Sequence, residues 1–195
     1  MTRLAPIRPD NLEPEMRAVF ENASPRDRMM MTPTAHAPEL MHALHNFADV
    51  LSDRGTIPGR LVELIRLRVA FHNQCRSCMA MRYQSGLDDG MTEGDVCSLE
   101  TPQDAPDLTE AEKVAIAYAD LSATNHFAIT DETFAELRKH FTEPQIVELG
   151  LHIAYFVGFG RLVAAWDLVE ELPESLADKS QPAAPWNAET FVVGR

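Results

Sequence analysis

The sequence predicts an all-α fold. Apolar residues recur at helical spacing in segment after segment, side-chain capping pairs stand at segment starts, and no stretch carries the convincing alternation of a strand. With 195 residues, 45% of them hydrophobic, the chain has the size of one compact domain with a real core. There is no internal repeat and no low-complexity tract, so residues 1–195 read as a single domain. Its core is expected at about 38–171, between an N-terminal arm and a C-terminal tail.

Residues 38–51 place Leu40, Met41, Leu44, Phe47, Ala48 and Leu51 at helical intervals, with Pro38 suited to a first turn. After the turn residues Gly55 and Pro58, residues 59–71 put Leu61, Leu64, Ile65 and Val69 on one stripe, with Arg60, Glu63 and Arg66 near its edges. Asn73 is expected to cap a third helix over 75–85, ended by Gly86, with a cysteine pair in its first turn. Thr92 with Asp95, Thr109 with Glu112, and Thr142 with Gln145 have capping-box spacing, and Thr130 precedes a further short helix. The helix opened by Thr142 is apolar nearly all round and is expected to run to about residue 171. Its Gly150, Gly158 and Gly160 permit close backbone approach, as at a central or subunit-interface position. Residues 98–108 and the tail after Pro173 read as loop or extended chain, and Met29, Met30 and Met31 as packed or mobile surface.

The formal charge of −13 repels phosphate backbones and anionic headgroups, so neither nucleic acid nor membrane is an expected partner. Residues 1–20 interleave charged and apolar residues and lack the apolar run of a secretion signal, which makes a cytoplasmic location the expectation. The apolar run 146–168 carries Glu148, His152, Arg161 and Asp167, costly in hydrocarbon, and is read as a core helix. Three cysteines, Cys75, Cys78 and Cys97, do not make a secreted disulfide framework; a close pair points to redox chemistry or metal.

Cys75 and Cys78, three apart on a helix, share a face and can cycle between dithiol and disulfide. The helix dipole favours Cys75 as the more acidic thiol. Arg82, one turn beyond Cys78 on an unbroken helix, would stabilise an anionic sulfur without accepting a proton. Glu63 would accept protons if its helix folds against the cysteine turn, or else pair with Arg66 or Arg82 to hold two helices together. Cys75, Cys78, His72 and Cys97 also make a conceivable zinc set. His42, His45 and Asp49 share one face that could bind a metal but reads mainly as half-exposed polar surface, with proximity to the cysteine pocket left open, and His152 reads as a hydrogen-bonded core histidine. His126 falls in an expected loop.

Residues 63–82, ELIRLRVAFHNQCRSCMAMR, resemble the alkylhydroperoxidase D-like, peroxidase-related branch of the carboxymuconolactone decarboxylase superfamily, in which eleven residues separate a Glu from a Cys-x-x-Cys pair. The resemblance runs from about residue 38 to 171 and includes LTEAEK at 108–113 and IVEL at 146–149. It implies an oligomeric helical bundle, as trimers, hexamers or dimer-based assemblies. It also implies a thiol peroxidase that takes a small hydroperoxide, is recycled by an external dithiol reductant and needs no cofactor or metal. The implied catalytic residues are Cys78 as the attacking thiol, Cys75 as the resolving one, and Glu63, with Arg82 standing where that branch commonly has a His. Ser77 likewise departs from the His of some members, and Gly160 from an Asn that precedes Arg161, for which an ion-pair role is expected. A lyase acting on a small carboxylated lactone, or a non-catalytic redox-sensing or zinc-binding oligomer, are the other expectations.

Overall fold

Gly59–Asn73 is the axis of the molecule because it has almost no face fit for water: eight of its fifteen residues are buried, on all sides of the helix. In the computed structural model, which describes residues 2–5 and 7–194, this helix (α4) is preceded by α1 (Pro14–Asn22), α2 (Pro25–His36) and α3 (Pro38–Arg54). It is followed by α5 (Arg76–Ala80), β1 (Met81–Tyr83), α6 (Gln84–Asp88) and α7 (Glu93–Ser98). Then come α8 (Glu110–Thr124), α9 (Asp131–Leu137), the long α10 (Glu143–Trp166), α11 (Glu174–Ala177) and β2 (Phe191–Val193). Helices α10 and α8 flank α4, and α6 crosses its start. The α4–α6 crossing needs glycine on both sides. A Cβ at Gly59 would lie 2.7 Å from the Ser85 carbonyl oxygen, and one at Gly86 2.7 Å from the Cβ of Glu63. The fold is all-α, as expected.

The capping boxes at Thr92–Asp95 and Thr109–Glu112 form, and one side chain joins them. Arg60 of α4 donates to Asp95 at 2.7 and 2.9 Å and to Glu112 at 2.7 Å, so each carboxylate both caps its own helix and anchors it to the axis. Glu148 of α10 accepts from the Thr56 and Ile57 amides and the Thr56 hydroxyl at 2.8–2.9 Å, fixing the turn that launches α4.

Four details differ from expectation. The helix expected over 75–85 is broken after Ala80, and Met81, Arg82 and Tyr83 pair in parallel with Phe191, Val192 and Val193, a strand contact the sequence did not announce. The break follows from competition for backbone groups. Arg66 takes the Cys78 and Met81 carbonyls, Arg82 takes those of Met79 and Met81, and Glu63 takes the Tyr83 amide. Asn73 caps nothing; it ends α4, and its amide donates to the Phe156 carbonyl of α10 at 3.0 Å. The long helix stops at Trp166, where Asp167 takes the left-handed conformation (φ 62°) that Asp tolerates better than most residues. Finally, the N-terminal arm folds into α1 and α2, and α2 packs on α3.

Helix α10 is long and apolar enough to cross a membrane, but Ile146, Leu149, Ile153, Phe156 and Val163 turn into the core. Val147, Leu151 and Leu162 remain exposed, as do Leu40, Phe47 and Val50 of α3.

Hydrogen bonds from Arg60 and Thr92 hold the Asp95 carboxyl down, against the opposing effect of burial, from about 3.8 to about 2. A depressed carboxyl stabilises the fold above its unfolded value and loses that contribution as pH falls through its folded value. The contribution is on the order of 1–2 kcal/mol, discounted because Arg60 keeps contact with screening water. Urea denaturation at pH 7 should show Asp95→Asn less stable by that amount. The variant should also lose less stability than the parent between about pH 4 and pH 2.

Candidate active site

Gln74, in the left-handed conformation (φ 49°), ends α4 and turns the chain so that Cys75 becomes the N-cap of the short α5. Cys75 and Cys78 are joined by a disulfide across a Cα separation of 5.2 Å. The two sulfurs differ in surroundings. Cys75 is fully buried against Val163 and Leu168, whereas Cys78 is half-buried and forms part of the wall of a cavity of about 330 Å³. That cavity is predominantly apolar. Met30 and Met31 of α2, Met41 of α3, Phe159 and Trp166 of α10 and Phe191 of β2 contribute to it, so the arm and the tail complete the chamber.

Beneath the cysteine turn lies a buried ion pair. Arg66 is 3% exposed and Glu63 not at all, and they meet through two parallel hydrogen bonds of 2.6 and 2.7 Å. Arg66 also donates to the Cys78 and Met81 carbonyls, both at 2.7 Å, and its guanidinium lies 4.3 Å from the centroid of the Tyr83 ring. Glu63 accepts the Tyr83 amide at 2.9 Å. Burial lowers the Arg66 pKa, but attraction and hydrogen bonds from Glu63 outweigh it and leave it above its ordinary value. The arrangement thus sets the guanidinium, the positive member of a neutralised pair, in the wall that Cys78 shares.

Of the four expected site residues, Cys75 and Cys78 come together and Glu63 lies under their turn, held by Arg66 as the sequence allowed. Arg82 is elsewhere. It is 1% exposed, and all five of its N–H donors are used, on both Glu93 oxygens and on the Met79, Met81 and Pro185 carbonyls. With α5 ended at Ala80, Arg82 no longer follows Cys78 on one helix face; it binds the tail to α7 instead of serving a thiolate. Sequence reasoning treated Arg66 as a helix-edge charge. The signal that could have found it is a Glu and an Arg three apart inside a helix apolar on every side.

The remaining candidates are dispersed. His72 bonds Asp120 at 2.6 Å, and Arg68 bonds the same carboxylate. Burial opposes ionisation of Asp120, yet those hydrogen bonds hold its pKa below the ordinary value. Cys97 is exposed near the Trp186 carbonyl. Among the described residues no group of three or more His, Cys, Asp or Glu side chains is placed to hold a metal, so the zinc set does not assemble. His42 and Asp49 face solvent, while the half-buried His45 lines the Cys78 cavity, the proximity to the cysteine pocket that the sequence left open. His126 is exposed. His152 is a core residue, stacked on Phe156 and 3.9 Å from Glu148; burial keeps its pKa below the ordinary imidazole value despite that carboxylate. Arg161 is structural, but its partners are the Asn73 amide oxygen and the Ala123 carbonyl rather than an ion.

Residues 38–121, which carry Glu63, Arg66 and both cysteines, match the model of the carboxymuconolactone decarboxylase family. That match supports membership of the carboxymuconolactone decarboxylase superfamily. Two uncharacterized proteins of Mycobacterium tuberculosis, from strains CDC 1551 / Oshkosh and H37Rv, are 32% identical over 91 residues. The match takes in 47% of this chain but only 32%, about a third, of the length of those relatives. A protein of unknown function from Agrobacterium tumefaciens, provisionally described as an antioxidant defence protein AhpD, superposes with a TM-score of 0.61 at 22% identity. That alignment covers 69% of this chain and 92% of that one. An uncharacterized peroxidase-related protein from Ralstonia eutropha JMP134, described as an alkylhydroperoxidase AhpD core, gives 0.67 at 16% identity and covers 90% and 94%. These two share the helical fold of this chain.

Removing Glu63 alone strands a buried guanidinium. Glu63→Ala should therefore cost about 3–5 kcal/mol in urea denaturation, and the double variant Glu63→Ala/Arg66→Met should cost less than the single one.

Proposed function

We propose that the protein is a peroxidase-related thiol–disulfide oxidoreductase that reduces a small hydroperoxide through Cys78 and Cys75. The observation that carries this reading is the unequal placement of the two sulfurs: Cys78 opens on an apolar chamber, and Cys75 lies behind it, within disulfide reach and walled off. The family match over residues 38–121, which carry both cysteines, supports it.

In this scheme the Cys78 thiolate attacks the terminal peroxide oxygen, the O–O bond breaks, and Cys78 becomes a sulfenic acid. Cys75 then displaces that oxygen as water, giving the disulfide seen between the pair. An external dithiol enters at Cys78, the accessible sulfur of the two, and two exchange steps restore both thiols. The scheme asks for no organic cofactor. Arg66 supplies the charge that favours a thiolate, and Glu63 positions Arg66 and the Tyr83 amide. A reducing cytoplasm would keep the dithiol donor charged, and the exposed apolar residues of α3 and α10 fit assembly of several copies.

The test is mass spectrometry of the reduced protein after addition of tert-butyl hydroperoxide. The parent should form the Cys75–Cys78 disulfide, Cys75→Ser should yield a trappable sulfenic acid on Cys78, and Cys78→Ser should stay unreacted. Both parental thiols remaining reduced under excess hydroperoxide would overturn the reading. In a Cys75→Ser/Cys97→Ser background, the pH dependence of Cys78 alkylation should shift upward by about one unit when Glu63 and Arg66 are replaced together by Gln and Met. Arg82→Met should leave that midpoint in place.

A further inference from the structure

Attack of a thiolate on an alkyl hydroperoxide expels an alkoxide, a strongly basic leaving group that needs a proton as the O–O bond breaks. The titratable and charged groups facing the cavity come from every element around it. They are Asp27 on α2, His45 on α3, Arg66 on α4, Cys78 on α5, Tyr83 on β1 and Tyr155 on α10. Among these side-chain types, imidazole alone ordinarily gains and loses a proton near neutral pH, with carboxylates well below and phenols and guanidinium well above. The Arg66 guanidinium is held above even its ordinary value and is no donor. Glu63 is spent on Arg66 and the Tyr83 amide.

We propose that His45 is the general acid of this chamber, a catalytic residue that delivers a proton to the alkoxide leaving from a hydroperoxide attacked by Cys78. The inference rests on the peroxidase reading above. His45 is the one histidine in the cavity lining among the described residues, and it shares the inward face of α3 with Met41, four residues before it. It is also half-buried, so it borders the cavity without losing the contact with solvent that reprotonation requires. The other histidines are placed elsewhere. His36 bonds the Ala5 carbonyl, His72 bonds Asp120, and His152 lines a separate cavity with Glu148.

The step balances. The Cys78 thiolate, the hydroperoxide ROOH and the His45 imidazolium give Cys78 sulfenic acid, the alcohol ROH and neutral imidazole; one S–O bond forms, one O–O bond breaks, and the sulfur loses two electrons. His45 recovers its proton from water. Cys75 then forms the S–S bond, and its thiol proton leaves in the water molecule released.

The experiment compares the parent with His45→Gln in quenched-flow measurement of Cys75–Cys78 disulfide formation, from about pH 5.5 to 8.5. Two oxidants are used. tert-Butyl hydroperoxide releases a basic alkoxide that needs the acid, whereas peracetic acid releases acetate, which does not. His45→Gln should slow the alkyl hydroperoxide reaction about 10²–10³-fold, with loss of the parent's fall in rate at alkaline pH. Its rate with peracetic acid should stay within about threefold of the parent. Equal slowing with both oxidants, or no slowing with either, overturns the proposal. A parent inert to both oxidants instead overturns the peroxidase reading, and this inference with it.

Discussion

The buried pair of Glu63 and Arg66 is the interaction on which the cysteine turn depends. Two charges withdrawn from water on a central helix are costly unless nearly every lone pair and proton finds a partner. Here the partners are the backbone groups that a continuing helix would have used: the Cys78 and Met81 carbonyls and the Tyr83 amide. The same pair therefore ends α5 and sets Met81–Tyr83 extended. It also fixes where Cys78 sits relative to the cavity.

The rest of the molecule is arranged around that turn. Arg76, between the two cysteines in sequence, donates to the Leu176, Asp178 and Gln181 carbonyls and so ties the tail to the redox loop. Beyond that anchor β2 pairs with β1 and brings Phe191 into the cavity wall, while α2 brings Met30 and Met31 from the other end of the chain. A predominantly apolar chamber follows, and in its wall the buried Arg66 guanidinium acts more strongly than it would in solvent.

The helical class, the capping boxes and the cysteine pair were legible because each rests on local chemistry: periodicity, a side chain bonding an amide three residues on, and spacing. Arg82 misled because its role depended on an unbroken helix, and the break is imposed by Arg66 from another segment. Asn73 misled for the same kind of reason: its α10 partner lies 83 residues away. The placement of His45 on the cavity, which the sequence left open, and the participation of α2 and β2 in the site arise from long-range packing that no local pattern encodes. Periodicity located α4 and its charged residues but could not say that Glu63 and Arg66 would be fully enclosed.

The central claim is that the turn held by Glu63 and Arg66 presents one sulfur and hides the other. Timed alkylation of the fully reduced protein with iodoacetamide, read peptide by peptide, tests it most directly. The account predicts rapid labelling of Cys97 and Cys78 and protection of Cys75 until the protein is unfolded. Labelling of Cys75 as fast as Cys78 in the folded protein would contradict it.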